Sequence, residues 1–128
     1  MTLANGETLD VSVLVPAKDE AVNLPEFVRL CAEALGAAPF TFEVVIVNDG
    51  SRDESADVLR DLARAYPFLR VVDHRRQRGI ADALRSAGDV ARCDIFVFYP
   101  ADLQYLPADI PALVAPILEN RADIVTGT

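Results

Sequence analysis

Phe42-Glu-Val-Val-Ile-Val-Asn-Asp-Gly-Ser-Arg-Asp-Glu54 is the stretch whose reading decides the fold. Its first six residues are nearly continuous in apolar, β-branched character. That is the pattern of a strand covered on both faces, as in a parallel sheet, rather than the alternation of a half-exposed one. Asn48-Asp-Gly50 is turn chemistry. Ser51 and Glu54 have capping-box spacing, so a helix is predicted to open there. Val58, Leu59, Leu62, Ala63 and Tyr66 recur at helical offsets behind it and predict one inward face.

The same unit repeats on either side. Upstream, Val11–Val15 is a strand candidate ended by Pro16, and Asn23 begins a helix with Leu24, Phe27, Val28, Cys31, Ala34 and Leu35 on one face, closed by Gly36. Downstream, Leu69–Val72 predicts a third strand. Gly79–Ala91 predicts a helix with Ile80, Ala83, Leu84, Ala87 and Val90 inward, and Ile95–Tyr99 a fourth strand. A helix is expected from about Asp109 to Glu119, with Pro111 suited to its first turn and Pro116 expected to kink it or displace its start. Ala122–Val125 reads as the beginning of a fifth strand. Strand–helix–strand units of roughly 30 residues imply an α/β fold, a parallel sheet with helices on both faces. Residues 1–10 read as a lead-in and 11–128 as one domain. The chain stops just past an apolar strand with no polar tail, which reads as a cut inside a larger fold. The open edge would then have to be covered, association of two chains being one way.

Length and composition agree with a single folded domain. The 128 residues are 52% hydrophobic and 25% charged, with 6 Gly and 8 Pro, which excludes disordered, collagenous and coiled-coil chains. Lys+Arg 12 against Asp+Glu 20 gives a net charge of −8, a poor match to nucleic acid or to an anionic membrane held by charge. No apolar run approaches the roughly 20 residues of a membrane span. The N-terminus has no basic start followed by an apolar stretch, so no signal peptide is read. Cys31 and Cys93 match no metal spacing and read as reduced core residues of a cytoplasmic protein.

In open parallel sheets, ligands bind at the carboxyl ends of the strands. There the sequence places Pro16, Ala17, Lys18, Asp19 and Glu20 after the first strand, and Asn48, Asp49, Gly50 and Ser51 after the second. Asp73 to Gly79 follow the third, and Pro100, Ala101, Asp102, Leu103 and Gln104 the fourth. Carboxylates thus recur on one rim beside arginines 75, 76 and 78. Such a gathering calls for counter-charges, hydrogen bonds or a hard divalent cation with a phosphate-bearing ligand. Plainer roles exist for each: Asp49 as a turn residue, Ser51 as a helix cap, His74 as a structural residue, and Asp19, Glu20 and the arginines as solvated loops. Asp102 and Gln104 can point the same way if their backbone stays extended. Gly79 suits a close backbone approach or the start of a helix. Neither a Gly-x-Gly-x-x-Gly turn, a P-loop nor a Gly-x-Ser-x-Gly elbow is present.

Four linked motifs then carry a resemblance. Val13–Glu20 with Asn23-Leu24, Val45–Asp53, Arg78–Ala83, and Ala101–Gln104 with Pro107 and Ile110-Pro111 together resemble glycosyltransferase family 2, in its polyprenyl (dolichyl) phosphate mannosyl- and glucosyltransferase branch. The resemblance implies the Rossmann-like, nucleotide-binding half of a GT-A fold, followed in complete members by an acceptor half. It implies an enzyme that transfers sugar from a nucleotide-diphosphate sugar to a lipid phosphate at the membrane or to another acceptor. Donor contacts are implied at Pro16, Ala17, Lys18, Glu20, Val47, Asp49, Arg78, Gly79, Ala101 and Asp102, with Asp49 on the base. Asp102 would be the catalytic residue, holding Mg²⁺ or Mn²⁺ on the diphosphate with Gln104 beside it. The sequence departs from the family at Pro100, where the first Asp of the metal motif usually stands, and at Gln77, where Asn is common. Two other readings stay open: a non-catalytic nucleotide-binding module that has lost its metal site, and a receiver-like phosphoacceptor domain, which would need an acceptor Asp and a late Lys although Lys18 is the only lysine.

Overall fold

Each strand begins where an apolar run begins. The computed structural model describes residues 10–125. Along them run β1 (Val11–Ala17), α1 (Leu24–Gly36), β2 (Phe42–Asp49), α2 (Ser55–Ala65), β3 (Leu69–His74), α3 (Ile80–Val90), β4 (Ile95–Phe98), a short 3-10 turn (Pro107–Asp109) and α4 (Ile110–Leu118). All pairings are parallel, in the order β3-β2-β1-β4. Val11 lies opposite both Phe42 and Ile95, so β1, β2 and β4 start level; β3 joins two residues later, with Leu69 opposite Val44, and the carboxyl ends of all four parallel strands share one rim.

The period-two alternation of the strands splits the core. Val11, Val13, Val15, Val44 and Ile46 face one way, into a layer that includes Phe27, Val28 and Cys31 of α1, Leu59 of α2, and Ile110 and Val114 of α4. Leu14, Val45 and Val47 face the other way, against Ala83 and Ala87 of α3. Two alanines let that helix lie close on the sheet. Phe27 is fully buried, a contribution of about 1.5–3 kcal/mol. Both cysteines are free and buried, and burial pushes the Cys31 thiol up to about 12, which leaves it inert. No helix among the described residues is long and apolar enough to cross a membrane.

Several expectations are corrected. Pro16 does not end β1, which continues to Ala17 alongside β2. Leu14 turns its carbonyl toward β4, accepting from Tyr99 N–H (3.0 Å). Pro16, two residues on, faces the same side just beyond the last β1–β4 pair, Leu14 with Phe98, where its missing N–H costs no ladder bond. The capping box does not open α2. That helix starts at Ser55 after Glu54, which makes no side-chain cap, because Ser51 is engaged elsewhere. Ile80 is 69% exposed rather than inward. Pro116 lies inside α4, which starts at Ile110, so the start of the helix is not displaced. Residues 122–125 form no strand. Asp123, Ile124 and Val125 line a hollow beside β4 without joining the ladder; four residues beside a four-residue strand gain few ladder bonds. Of the lead-in, only Asp10 lies within the described residues. Its N–H donates to Thr41 O (3.1 Å), and its carboxylate accepts Thr41 N–H (3.1 Å).

One buried charge was not anticipated. Glu43, the second residue of β2, is fully buried. Its Oε2 accepts from Ser12 Oγ (2.6 Å) and Arg92 N–H (2.6 Å), and its Oε1 from Arg70 Nη1 (3.1 Å) and Arg92 Nε (3.0 Å). Arg70 also donates to Val90 O (2.6 Å), at the end of α3. Burial alone would raise the Glu43 carboxyl, but these donors outweigh it and hold the group below its ordinary value. A carboxyl lowered in the folded state stabilises fully above its unfolded value and loses that contribution as pH falls through the folded one. Glu43→Gln is therefore expected to lower stability by about 3 kcal/mol at neutral pH. In urea unfolding, the gap between parent and variant should narrow as the pH is taken below about 4.5.

Candidate functional site

The loops at the carboxyl rim are tied to one another before any ligand is considered. After β1 the chain turns through Asp19, at φ 54°. Asp19 Oδ1 accepts the N–H groups of Arg52 (2.7 Å) and Asp53 (3.3 Å), while its own N–H donates to Ser51 Oγ (2.9 Å). Glu20 N–H donates to Ser55 Oγ (3.1 Å), and Ala21 N–H to Asp53 Oδ2 (3.2 Å). Ser51 is thus a brace between two loops, not a helix cap. The Arg52 N–H above all holds the Asp19 carboxyl below its ordinary value. Glu20 in turn accepts Asn23 Nδ2 (2.9 Å).

Asp49 ends β2 and is 4% exposed. Its Oδ1 accepts from His74 Nδ1 (2.8 Å) and Arg78 N–H (2.9 Å), and its Oδ2 from Gly79 N–H (3.0 Å). His74 Nε2 is paired with Ser86 Oγ (2.8 Å), so the histidine is a structural strut between β2, β3 and α3. Burial pulls the Asp49 carboxyl up, and the three donors outweigh that and hold it low. A carboxylate accepts about four hydrogen bonds, and three are used internally. Gly50 follows at φ 68°. A Cβ there would stand 2.3 Å from Gln77 N and 2.4 Å from Arg76 C. Only glycine permits this approach of the β2 loop to the segment after β3.

After β4, Tyr99 is buried and donates its hydroxyl to Leu106 O (2.7 Å). The backbone beyond is not extended. Leu103 has φ 65°, and Gln104 N–H donates to Asp102 Oδ1 (3.1 Å). The chain therefore folds back locally, and Gln104 is exposed.

The carboxyl ends of β1 and β2 and the segments that follow β1, β3 and β4 enclose one hollow of 280 Å³. Pro16 and Ala17 enter from β1, Lys18 and Glu20 from the loop after it, and Asp49 from β2. Gln77, Gly79 and Ile80 come from the segment after β3, and Pro100, Ala101 and Asp102 from the loop after β4. Glu20, Asp49 and Asp102 thus share one concave surface. Three residues read as donor or metal contacts lie elsewhere. Val47 is buried beneath α3. Arg78 reaches the site through its backbone N–H, while its side chain lies 3.7 Å from Asp82. Gln104 does not line the hollow. Ile80, read as core, does line it; its place directly after Gly79 at the rim was the available signal. Larger hollows beside β4 and α4 are lined mainly by apolar side chains. Among the described residues no cluster of three His, Cys, Asp or Glu stands ready for a metal.

Comparison with known proteins follows the same line. Residues 12–128 match the family model described as Glycosyl transferase family 2. The chain is 37% identical over 117 residues to the Undecaprenyl-phosphate 4-deoxy-4-formamido-L-arabinose transferase of Pseudomonas savastanoi pv. phaseolicola, covering 90% of this chain and 34% of the relative. It is 32% identical over 120 residues to the Dolichol-phosphate mannosyltransferase of Pyrococcus furiosus, covering 94% and 33%. Among solved structures, the mannosyltransferase PcManGT from Pyrobaculum calidifontis, in complex with GDP-Man and Mn²⁺, superimposes with TM-score 0.69 at 27% identity, covering 84% of this chain and 32% of that one. S. aureus TarS 1-349 in complex with UDP gives TM-score 0.72 at 23% identity over 90% of this chain and 34% of that one, a likeness of fold. The chain spans about a third of the length of these curated relatives. Neither the match nor the geometry favours a receiver-like domain: Asp73 lies within β3 and accepts from Asn48 Nδ2 (3.1 Å), and Lys18 follows the first strand.

The close contact at Gly50 gives a direct check. Gly50→Ala should lower stability by about 1–3 kcal/mol in urea unfolding, since it adds both an unfavourable φ and a clash with backbone. Gly36→Ala, where a Cβ meets nothing within 4 Å, should be neutral or slightly stabilising.

Proposed function

We propose that this chain, which belongs to glycosyl transferase family 2, is the donor-binding part of an enzyme that moves a sugar from a nucleoside diphosphate to an acceptor, with a polyprenyl phosphate as the favoured acceptor class. The observation that carries this reading is the single hollow where Glu20, Asp49 and Asp102 meet at the ends of separate strands. The names of the relatives, which refer to undecaprenyl phosphate and dolichol phosphate, support the acceptor class.

Each wall has a task in this reading. Pro16, Ala17 and Glu20 form the side that would receive the base and ribose, with Asp49 at its back. Asp49 is held ionised and immobile by His74, Arg78 and Gly79, so its remaining acceptor position is preorganised for an N–H of the base. Asp102, across the hollow, is the only carboxylate contributed by the loop after β4. Pro100 has no ligand atom. A cation of the Mg²⁺ or Mn²⁺ kind is commonly held by one or two carboxylates together with substrate phosphates, and Asp102 fits that mode, in which the cation depends on the diphosphate for its remaining ligands. When bound, such a cation would neutralise charge on the departing diphosphate. An acceptor that is already a phosphate anion needs no base from these residues; a hydroxyl acceptor would need one supplied from outside them.

The test is calorimetric titration of UDP and GDP into the chain with and without Mn²⁺. One nucleotide is expected to bind, with affinity raised about ten-fold or more by the metal, a gain of about 1.4 kcal/mol. Asp102→Asn should remove that increment and leave the metal-free binding. Affinity indifferent to metal would favour a non-catalytic nucleotide-binding module. Absence of binding by both nucleotides would overturn the donor reading.

A further inference from the structure

Beside the donor hollow lies a second one of 580 Å³, and its charge is of opposite sign to that of the chain. Lys18, Arg52, Arg75 and Arg76 line it, against the single carboxylate of Asp19. Four cations and one acid leave an excess of positive charge in a protein whose net charge is −8. The one acid is already engaged: Asp19 Oδ1 accepts two backbone N–H groups, and Oδ2 lies 3.5 Å from Lys18 Nζ. The arginines are not. Arg29, Arg60, Arg70, Arg78, Arg92 and Arg121 all form ion pairs, whereas the guanidinium groups of Arg52, Arg75 and Arg76, like those of Arg64 and Arg85 elsewhere, have none among the described residues; what distinguishes the three is that they share one hollow. Like charges gathered on one concave surface repel, and an anion relieves that repulsion.

The frame that carries these charges is fixed. Lys18 Nζ donates to Gly50 O (2.9 Å), Asp19 N–H to Ser51 Oγ (2.9 Å), and Arg52 N–H to Asp19 Oδ1 (2.7 Å). Gly50 presses on the backbone of residues 76 and 77. Ser51 Oγ accepts from Asp19, which leaves its own proton free to donate into the hollow. Guanidinium groups and a hydroxyl on a cross-tied frame suit a tetrahedral oxyanion with several acceptor oxygens.

We propose that this hollow binds a phosphate-bearing anion distinct from the donor diphosphate. Lys18 and Gln77 line both hollows, so the anion would sit directly beside the nucleotide. The chemistry is shared by free phosphates and by the headgroup of an anionic lipid. The inference rests on the charge arrangement and stands independently of the donor reading.

Inorganic pyrophosphate, titrated calorimetrically into the full chain in EDTA, is the first probe. Phosphatidylcholine vesicles with and without phosphatidylglycerol, in a cosedimentation assay, are the second. Binding of pyrophosphate is expected to persist in saturating UDP or GDP and in Asp102→Asn. It should weaken about ten- to hundred-fold in the double variant Arg75→Gln/Arg76→Gln, whose urea midpoint should match the parent because both side chains are exposed. Selective sedimentation with phosphatidylglycerol vesicles, lost in the same variant, would identify a lipid headgroup as the source of the phosphate. The proposal is overturned if neither probe binds, if binding is indifferent to the two arginines, or if nucleotide displaces the pyrophosphate. Failure of UDP and GDP to bind while pyrophosphate still does would sink the donor reading alone.

Discussion

Two carboxylates at opposite ends of β2 hold α3 in place, and most of the site's geometry depends on them. Asp49 accepts the N–H groups of Arg78 and Gly79, which lead into the helix. Glu43 accepts the N–H and guanidinium of Arg92, just after it, and reaches Val90 O through Arg70. Between these points the helix presents only Ala83 and Ala87 as fully buried side chains to the sheet. Small side chains give it little apolar area with which to fix its own position. The charged clamps supply the register that packing alone would leave loose. Both carboxyls are held below their ordinary values despite burial, because their hydrogen-bond donors outweigh the cost of desolvation.

The consequence at the carboxyl rim is a site built before a ligand arrives. The β1 and β2 loops are joined by reciprocal bonds between Asp19, Ser51 and Asp53, and Gly50 brings the β2 loop onto the segment after β3. Strain is stored where these loops turn. Asp19 and Leu103 both sit at positive φ without being glycine, at a cost of the order of 1 kcal/mol each. Each is next in the chain to residues that line the hollow, Lys18 and Glu20 in one case and Asp102 in the other, while the Leu103 side chain packs against the core; a third such residue, Asn120, lies past the end of α4.

Much of this was legible in the residues. The apolar runs at Val11, Phe42, Leu69 and Ile95 marked the start of the four described strands; in β1 and β2 burial on both faces demands that continuous apolar character, whereas Phe96 and Phe98 of β4 are apolar but exposed. The rim residues Glu20, Asp49 and Asp102 could be named because in a parallel sheet whatever follows each strand must arrive at the same edge. Less legible were the residues with two competing uses. Ser51 and Glu54 have the spacing of a helix cap, but Ser51 makes its bond to a neighbouring loop 32 residues away. Asp102 and Gln104 look alike in sequence, yet a positive φ at Leu103 separates them. Glu43 passed as one polar residue in a strand, although a charge inside so apolar a run is itself a sign of a buried partner.

By itself, the sequence determined the parallel α/β architecture, the common rim and the family to which the chain belongs. These follow from local periodicity and from the order of short motifs, both properties of neighbouring residues. Tertiary structure alone decided which rim side chains meet. It turned His74 into the support of Asp49, moved Val47 beneath a helix, exposed Ile80 to the hollow, and separated a basic cavity from the acidic one. The physical reason is that hydrogen bonds and charges act over a few ångströms, between atoms that the chain brings together from 25 to 49 residues apart, and no local pattern encodes those pairings.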